Sequence, residues 1–454
     1  MNTKLSDFCE RIYNKRVAVI GVGISNKPLI GFLLKYGAKV AAYDKKTSEQ
    51  LGEIYAELSE RGVDFHLGEN YLDELSEDII FKTPGMRYDA PALAAARERG
   101  AWVTSEMEVF FDVCPAKIIA VTGSDGKTTT TTLIHRFLTE SGYKTRLGGN
   151  IGKPLLAECD EIGTEEWIVL ELSSFQLHTM RKSPDIAVVT NITPNHLDVH
   201  KSYQEYIDAK KNIMLYQTSE SLLVINEGNE ETKKLRAEAK GNVRSFSAYC
   251  GADFHLSGGV ICYKDTPVLD SRDIKIPGMH NVENYMAAMA AVWELAEKDV
   301  FLKVAREFGG VEHRIELVRT LDGVRYYNSS IDSSPNRSLN TLKVFGDNVI
   351  MIAGGKDKGI PYDDIGPAVA EHVKTLVLIG MTASKIEKAV RAADGGDKVK
   401  ILHATSYPEA VSLARKNAES GDVVLLSPAS TSFDMFSNFE ERGNLFKSIV
   451  MGLK

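Results

Sequence analysis

Short apolar runs alternate with amphipathic stretches along almost the whole chain of 454 residues. Each apolar run is rich in Val, Ile and Leu and stops at a glycine or a polar residue, which is typical of strands buried in a parallel sheet. Between the runs, apolar residues recur at i, i+3 and i+4, which predicts helices. The predicted strands are 17–20, 39–43, 79–82, 117–121, 167–172, 186–189, 349–353, 375–379, 399–403 and 423–426. Alternating strands and helices predict an α/β protein.

The length of the chain predicts about three domains at roughly 150 residues each. We expect a Rossmann-like N-terminal domain at 1–105 and a central domain of the P-loop ATPase type, with a mostly parallel sheet, at 106–310. A C-terminal Rossmann-like, doubly wound domain is expected at 311–454. The stretch 227–275 has short strand patterns and the pair Gly258-Gly259, which predicts a hairpin-rich edge.

The first strand is followed by Gly21-Val22-Gly23, and Asp44 ends the second strand about 20 residues later. This is the opening of a nucleotide-binding βαβ unit, although Asn26 stands where a third fingerprint glycine is expected. Taken alone, this stretch leaves a nicotinamide-dependent oxidoreductase open. Thr83-Pro84-Gly85, after a later strand, is either a phosphate-binding turn or a simple tight turn.

The composition and charge of the chain argue against several classes of function. A formal net charge of -8 and a pI near 5.8 argue against nucleic-acid binding, which requires a basic face. No stretch reaches the ~18 apolar residues of a membrane span, and the N-terminus lacks the apolar core of a signal peptide. The five cysteines form no C-x-x-C pair, which is typical of reduced thiols. We therefore expect a cytoplasmic protein without membrane insertion, disulfide framework or zinc site.

The strongest motif is T-G-S-D-G-K-T-T at 122–129, between a predicted strand and a predicted helix at 130–140. Backbone N–H groups at such a turn attract phosphates, Lys127 adds a positive charge, and the Thr128 hydroxyl can hold magnesium. Val121 occupies the position of the first glycine of a full P-loop, which argues against motors and GTPases. A plain turn would explain 123–125 but not the lysine and threonines that open the helix.

Three further side chains are candidates for metal chemistry. Glu171 lies within an apolar strand downstream of the phosphate loop, so we expect it to be buried beside a partner charge rather than at a surface strand end. His196 and His200 are four residues apart, but H-E-x-x-H is not met, so a contact through His196 is favoured over zinc.

Helical periodicity over 202–217 places Lys210 on the apolar face. Desolvation would favour its neutral amine, which can react with carbon dioxide to give a carbamate. A lysine that snorkels at the helix edge remains an equal alternative. Asn281, before an Ala-rich helix predicted at 286–295, is either an adenine contact or a helix cap.

These motifs resemble the ATP-dependent Mur ligases, relatives of the folylpolyglutamate synthases, over nearly the whole chain. The similarity is carried by the phosphate loop, G-G-N-I-G at 148–152, E-L-S-S-F-Q-L at 171–177, N-x-T-P-N-H-L-D at 191–198, D-A-K at 208–210, G-x-H-N-x-x-N at 278–284 and His313-Arg314. The N-terminal G-V-G-I-S and the stretch 427–443 are similar to members that add D-glutamate to UDP-N-acetylmuramoyl-L-alanine.

In this family, ATP phosphorylates a carboxylate and an amine attacks the acyl phosphate, which implies a peptidoglycan-precursor ligase that uses ATP and Mg²⁺ and acts as a monomer on small molecules. The resemblance implies catalytic roles for Lys127, Glu171, His196 and Lys210. It implies magnesium ligands at Thr128, Glu171, His196 and Lys210, the last as a carbamate. ATP would contact Gly123, Ser124, Asp125, Gly126, Lys127, Thr128, Thr129, Asn281 and Arg314. The UDP-sugar would contact Ile24, Ser25, Asp44, Lys45, Gly85, Asn150, Ser173, Gln176 and His196. D-Glutamate would contact Lys358, Ser432 and Phe439.

One loop departs from the family pattern N-D-S-K-A-T-N. Ser329 replaces its aspartate and Ile331 its lysine, and Asp332 and Arg337 are candidates to restore the two charges. The alternatives to a D-glutamate ligase are a related Mur or folylpolyglutamate-type ligase with another amino acid, an oxidoreductase, and a non-catalytic nucleotide sensor. An oxidoreductase has no use for the phosphate loop, and a sensor does not need Glu171, His196 and Lys210 together.

Overall fold

The computed structural model describes residues 2–23, 26–197, 199–357 and 359–454. The chain divides into a first unit, residues 1–273 with 279–305, and a second unit, residues 274–278 with 306–454. Each unit is described by itself below.

The first unit opens with a five-stranded sheet of order β3-β2-β1-β4-β5 in which the described pairings are all parallel. Its strands are β1 (Arg16–Ile20), β2 (Lys39–Asp44), β3 (Asp64–Leu67), β4 (Ile79–Phe81) and β5 (Trp102–Thr104). The helices are α1 (Thr3–Ile12), α2 (Asn26–Lys35), α3 (Ser48–Leu51), α4 (Glu53–Glu60), α5 (Pro91–Glu98) and α6 (Glu106–Val113). The strand order reverses between β1 and β4, and ligands of such sheets bind at the carboxyl ends of the strands beside this switch point.

A nine-stranded sheet completes the first unit, with the order β14-β13-β12-β11-β10-β9-β6-β8-β7 among the described residues. Its strands are β6 (Lys117–Thr122), β7 (Thr145–Gly149), β8 (Trp167–Glu171), β9 (Ile186–Val189), β10 (Leu222–Asn226), β11 (Asn242–Ser247), β12 (Phe254–Ser257), β13 (Val260–Tyr263) and β14 (Thr266–Asp270). The helices are α7 (Lys127–Glu140), α8 (Ser174–Leu177), α9 (Tyr203–Leu215), α10 (Glu230–Lys234), α11 (Met279–Val292) and α12 (Lys298–Glu307), of which the last two residues of α12 belong to the second unit. The pairs β12–β13 and β13–β14 are antiparallel, so the expected hairpin edge is confirmed.

The second unit holds a six-stranded sheet of order β15-β16-β20-β17-β18-β19 in its described part. The strands are β15 (Glu316–Leu321), β16 (Val324–Asn328), β17 (Val349–Ala353), β18 (Val373–Leu378), β19 (Lys400–His403) and β20 (Val423–Leu426). The helices are α13 (Pro335–Leu342), α14 (Ile365–His372), α15 (Ala383–Ala392), α16 (Tyr407–Lys416) and α17 (Phe439–Met451). Four short 3₁₀ turns lie in the described residues of the two units, at Leu156–Glu161, Leu235–Glu238, Ser271–Asp273 and Gly396–Lys398.

The central strands owe their uniform apolar character to burial on both faces. Every residue of β8 and of β17 is buried, and β1 is buried from its second residue onward. Helices cover both faces of such sheets, so no polar face remains and the period-two alternation disappears.

The predicted α/β class is confirmed, with mostly parallel sheets in each unit. Several elements differ from the expectation. Helix α11 begins at Met279 rather than Met286, because helical backbone starts directly after the left-handed Gly278 and the polar residues there are helical too. Six strands were not predicted: β3, β5, β7, β10, β15 and β16. The antiparallel edge strand β15 has only weak alternation. The domain boundaries stay a prediction. No described helix is long and apolar enough to cross a membrane.

Candidate active site

The phosphate loop lies between β6 and α7, at the centre of the nine-stranded sheet. Gly126 caps α7 with φ of 78°, a left-handed conformation that glycine adopts without strain. A Cβ at Gly126 would also collide with the side chain of Asn284. The loop therefore needs glycine for two reasons, and it leaves the N-terminus of a fourteen-residue helix open to an anion.

The segment after β9 holds the phosphate loop in place. The Asn191 carbonyl accepts the Ser124 N–H at 2.9 Å, and Asn191 Oδ1 accepts the Asp125 N–H at 2.9 Å. Thr190 Oγ1 donates to the Asp125 carbonyl at 2.6 Å. The motif at 191–198 was noticed in the sequence, but this supporting role was missed because it depends on β9 lying beside β6.

Lys127 and the following threonines have well-defined partners. Lys127 Nζ donates to the carbonyls of Gly123 at 2.9 Å and Ser124 at 2.8 Å, so its charge lies over the loop. The hydroxyls of Thr131 and Thr132 donate back to carbonyls one turn earlier, at 2.8 Å each. Such bonds satisfy the hydroxyls within the helix, which explains how a threonine run remains helical here.

Glu171 ends β8, directly beside the phosphate loop, and is buried as predicted. Its Oε1 accepts the Asn150 amide at 2.7 Å, whereas Oε2 is buried and has no hydrogen-bond partner in the described structure. A buried carboxylate oxygen without a partner is costly unless a ligand or cation completes it.

Lys210 lies on the inward face of α9 with its side chain almost fully buried, which confirms the predicted face. Its Nζ donates to the Gly123 carbonyl at 2.7 Å and lies 4.7 Å from the centre of the Tyr206 ring. Burial and the nearby charge of Lys127 lower the pKa of Lys210 well below its ordinary value, against the opposing pull of Asp125 and Glu171. The neutral amine is therefore more accessible at Lys210 than in an exposed lysine.

The oxygen donors at this place fit a magnesium ion. A carboxylate with an open Oε2 and the hydroxyl of Thr128 are hard oxygen ligands, and Mg²⁺ usually takes one or two carboxylates and completes its shell with phosphates and water. The described residues contain no group of three or more His, Cys, Asp or Glu side chains suited to a metal.

The two histidines differ sharply in environment. His196 is exposed, has φ of 54°, and packs its ring against Phe175 with centroids 5.3 Å apart. His200 is buried and its Nε2 lies 3.0 Å from Ser174 Oγ. Burial, together with the charge of His178, lowers the pKa of His200. The metal role of His196 stays a prediction.

The proposed UDP-sugar residues lie partly outside the described residues, which do not include Ile24 and Ser25. Asp44 uses its carboxylate locally, accepting the N–H groups of Val22 at 2.6 Å and Lys46 at 2.9 Å. Lys45 and Gly85 are exposed at the carboxyl edge of the five-stranded sheet. These positions surround its switch point, but the bonds of Asp44 show that it also fixes the glycine turn.

Asn150, Ser173 and Gln176 lie near Glu171. Asn150 orients the Glu171 carboxylate, and Ser173 caps α8 in a reciprocal box with Gln176. Each therefore has a structural task in addition to the predicted substrate contact, and that contact stays a prediction.

Asn281 lies inside α11 rather than capping it, and its Oδ1 accepts the Asn284 amide at 3.1 Å. In the second unit, Arg314 is exposed, Ser432 is buried, and Phe439 opens α17 with its ring 5.9 Å from that of His313. Lys358 lies outside the described residues. The nucleotide and D-glutamate roles of these residues stay predictions.

The atypical loop after β16 keeps its carboxylate inside the second unit. Asp332 is buried, and its Oδ2 accepts the Ser427 hydroxyl at 2.7 Å. Burial raises the pKa of Asp332 against the hydrogen bonds of Ser427, Ser329 and Thr341. Arg337 donates to the Ile331 carbonyl at 3.0 Å. The Asp332 carboxylate lies beside Ser329, which stands where the family pattern has aspartate. The Arg337 guanidinium is hydrogen-bonded to the backbone instead.

Three domain families match the chain. Residues 15–105 match the Mur ligase MurD-like N-terminal domain, residues 121–292 the Mur ligase middle domain, and residues 313–430 the Mur ligase glutamate ligase domain.

Full-length relatives are similar throughout. The chain is 55% identical over 465 residues to UDP-N-acetylmuramoylalanine--D-glutamate ligase from Acetivibrio thermocellus, with 100% of both chains covered. It is 53% identical to the same-named protein from Ruminiclostridium cellulolyticum, again with 100% of both covered, and 52% identical to that of Clostridium kluyveri, with 99% of both covered.

Solved structures share the fold at low identity. UDP-N-acetylmuramate-alanine ligase MurC from Thermotoga maritima matches with a TM-score of 0.58 at 19% identity, covering 97% of this chain and 100% of that one. MurF from Acinetobacter baumannii matches with a TM-score of 0.56 at 15% identity, covering 99% and 98%. With three matching domains and more than half of its residues shared with full-length relatives, the chain belongs to the Mur ligase family, in the branch of the UDP-N-acetylmuramoylalanine--D-glutamate ligases.

Proposed function

We propose that this protein joins D-glutamate to UDP-N-acetylmuramoyl-L-alanine in an ATP-dependent reaction of peptidoglycan precursor synthesis. One observation supports the ATP-dependent chemistry. Glu171 Oε2, which has no hydrogen-bond partner in the described structure, lies directly beside the phosphate loop, and Gly126 of this loop caps α7. The names of relatives at 50–55% identity support the choice of substrates. Unpaired thiols agree with a cytoplasmic location, and we propose that the protein acts as a monomer.

In the first step, an alanine carboxylate oxygen attacks the γ-phosphorus of ATP and ADP leaves, which gives an acyl phosphate. The backbone N–H groups of 123–126 and the start of α7 would hold the β- and γ-phosphates, with Lys127 and Thr129 beside them. Thr128 and Glu171 would hold one magnesium ion, and a second would be held by Glu171, His196 and the carbamate of Lys210. The charge of these ions would neutralise phosphate charge. These residues need only position and stabilise charge, because phosphoryl transfer requires little else from the protein.

In the second step, the amine of D-glutamate attacks the acyl carbon, the tetrahedral intermediate expels phosphate, and the amine loses its proton. Lys358, Ser432 and Phe439 are the proposed contacts of D-glutamate.

Lys210 would serve the first step as a carbamate: its neutral amine forms an N–C bond with carbon dioxide and releases one proton. The resulting anion is an oxygen ligand of the kind that magnesium prefers.

The direct test is phosphate release with ATP, Mg²⁺ and UDP-N-acetylmuramoyl-L-alanine, with D-glutamate present or omitted. We expect release only when D-glutamate is present, together with one new amide product per phosphate. If another amino acid supports release and D-glutamate does not, the protein is a related Mur or folylpolyglutamate-type ligase instead.

A further inference from the structure

Lys82 follows the last residue of β4, at the switch point of the five-stranded sheet. Its relative exposure is 4%, so the side chain is buried. Its backbone N–H donates to the Thr104 carbonyl at 2.8 Å. Within the described residues, its ammonium group has no hydrogen bond or ion pair. The side chain is thus buried, while its ammonium group faces a cavity and has no acceptor among the described residues, which is the arrangement expected where an anionic ligand binds.

Lys82 lines a cavity of about 150 Å³ inside the first unit, together with Asn26, Asn150 and Gln176. Gln176 Oε1 accepts the N–H and hydroxyl of Ser173. The amide NH₂ group of Gln176 makes no hydrogen bond to the described residues. The cavity thus presents two donor groups without acceptors of their own.

Two carboxylates near the cavity are engaged elsewhere. Glu106 lines it, but its Oε1 accepts the Leu156 N–H at 2.9 Å, and burial raises the pKa of this carboxyl group. Glu108, which favours the charged form of Lys82, has its Oε2 bound by the Ser105 hydroxyl at 2.8 Å. Burial nevertheless lowers the pKa of Lys82. Neither carboxylate forms an ion pair with Lys82, so the bound ligand must supply the negative charge.

We propose that Lys82 is a specificity-determining residue that binds the diphosphate of the UDP-sugar. This proposal rests on the proposed function. The cavity is built from the end of β4 and from the loop 149–152, whose Asn150 bonds Glu171. It therefore lies between the carboxyl edge of the five-stranded sheet, where the uridine end is expected, and the phosphate loop, where the alanine carboxylate must react. The diphosphate and the sugar lie between the uridine and the alanine of this substrate, and of these two groups only the diphosphate carries the negative charge that an ammonium group attracts.

The test compares wild type with Lys82→Gln in binding three ligands by calorimetry: uridine, UDP and the full substrate. A lost charge-assisted bond should weaken UDP and the full substrate by roughly ten- to a hundredfold and leave uridine unchanged. In turnover, KM for the UDP-sugar should rise by the same factor while KM for ATP is retained. Lys39→Gln, an exposed lysine at the start of β2, is the matched control and should behave as wild type.

Three outcomes would overturn the assignment. Equal weakening of uridine and UDP would make Lys82 structural, weakening of the full substrate alone would assign it to the alanine carboxylate, and no change would remove it from the site. Lys82→Met adds an independent readout: without ligand it should unfold at a higher temperature than wild type, because the unpaired charge is gone, and it should bind UDP as weakly as Lys82→Gln. A lower unfolding temperature would also contradict the proposal. If the wild type binds UDP but shows no D-glutamate-dependent phosphate release, the proposed function is wrong. The binding comparison between wild type and Lys82→Gln can still be interpreted in that case.

Discussion

At the scale of single residues, the candidate site depends on groups that are buried without a conventional partner. Glu171 Oε2 has no hydrogen bond in the described structure, and Lys210 is buried beside carbonyl oxygens rather than carboxylates. Stability alone would disfavour both arrangements. Departures of this kind from stable packing are expected where a site must bind charged ligands.

Lys210 can be tested by deletion and chemical rescue. We expect Lys210→Ala to lower D-glutamate-dependent phosphate release about a hundredfold or more, because an electrostatic ligand is lost. Short-chain carboxylic acids should restore part of the activity by supplying the missing anion. Lys211→Ala, whose side chain pairs with Glu238 at 2.6 Å on the outer face of α9, should keep near wild-type activity. An inactive but folded Lys210→Ala that no carboxylic acid rescues would count against the carbamate.

Gly126 can be tested against a second glycine at the other end of α7. Gly126→Ala should abolish ATP binding, since the new Cβ would meet Asn284 and the left-handed cap would be strained. Gly142→Ala also has positive φ, at 86°, but no atom lies within 4 Å of the added Cβ. It should cost only about 1 kcal/mol of stability and leave ATP binding intact. Equal loss of binding in both variants would mean that strain alone explains the effect.

At the scale of elements, β7 and β8 are joined by an acid whose side chain is fully buried at the start of β8. Glu166 Oε1 lies 2.6 Å from Lys144 Nζ, and its Oε2 lies 3.0 Å from Arg146 Nε. Burial opposes ionisation, but the bonds of Lys144, Gly163 and Arg146 prevail and lower the pKa of Glu166 to about 2. This ion pair fixes the strand that carries Glu171 at its far end.

Because this pKa is depressed, the ion pair stabilises the fold at pH values above the ordinary carboxyl pKa of 4.5, and its contribution is lost as the pH falls through about 2. Glu166→Gln should therefore lower the free energy of unfolding by about 2 kcal/mol at neutral pH, less than a fully buried pair because Lys144 is exposed. The difference from wild type should shrink in acid-titration curves. The exposed neighbour Glu165→Gln should show neither effect, and a pH-independent difference would contradict the assignment.

At the scale of the whole molecule, the turn after β4 is tied to the second sheet of the first unit. The Arg87 guanidinium bonds Asp89, reaches Glu205 in the first turn of α9 at 2.8 Å, and donates to the Val199 carbonyl at 2.7 Å. The bond of Arg87 lowers the pKa of Glu205 to about 2. This network anchors the segment that bears His196.

Arg87→Met should loosen that segment. We expect faster amide hydrogen exchange at 199–205, a lower unfolding temperature by a few degrees, and a raised KM for the UDP-sugar, because residues from both sheets line its proposed path. Arg61→Met, whose guanidinium lies 4.0 Å from Glu57, is the control and should show none of these changes. Unchanged exchange at 199–205 in Arg87→Met would show that the network does not hold the segment.

Local sequence patterns predicted many of the strands and helices and part of the candidate site. The apolar runs predicted the central strands of the sheets, and 122–129 predicted the phosphate loop, because a strand, a glycine turn and a helix are each specified by residues close in sequence. Helical periodicity placed Lys210 on the buried face of α9. Helix α11 was located only approximately, since its polar first turns carry no apolar period.

The tertiary structure decided what depends on residues distant in sequence. The support of the phosphate loop by Thr190 and Asn191 follows from β9 lying beside β6, and the orientation of Glu171 by Asn150 follows from β7 lying beside β8. In the sequence, Lys82 is only the last residue of a predicted strand, and nothing there singles it out. Only the packed structure shows that the Lys82 side chain is buried at the switch point and that its ammonium group has no hydrogen bond or ion pair among the described residues, because burial and pairing depend on the assembled fold.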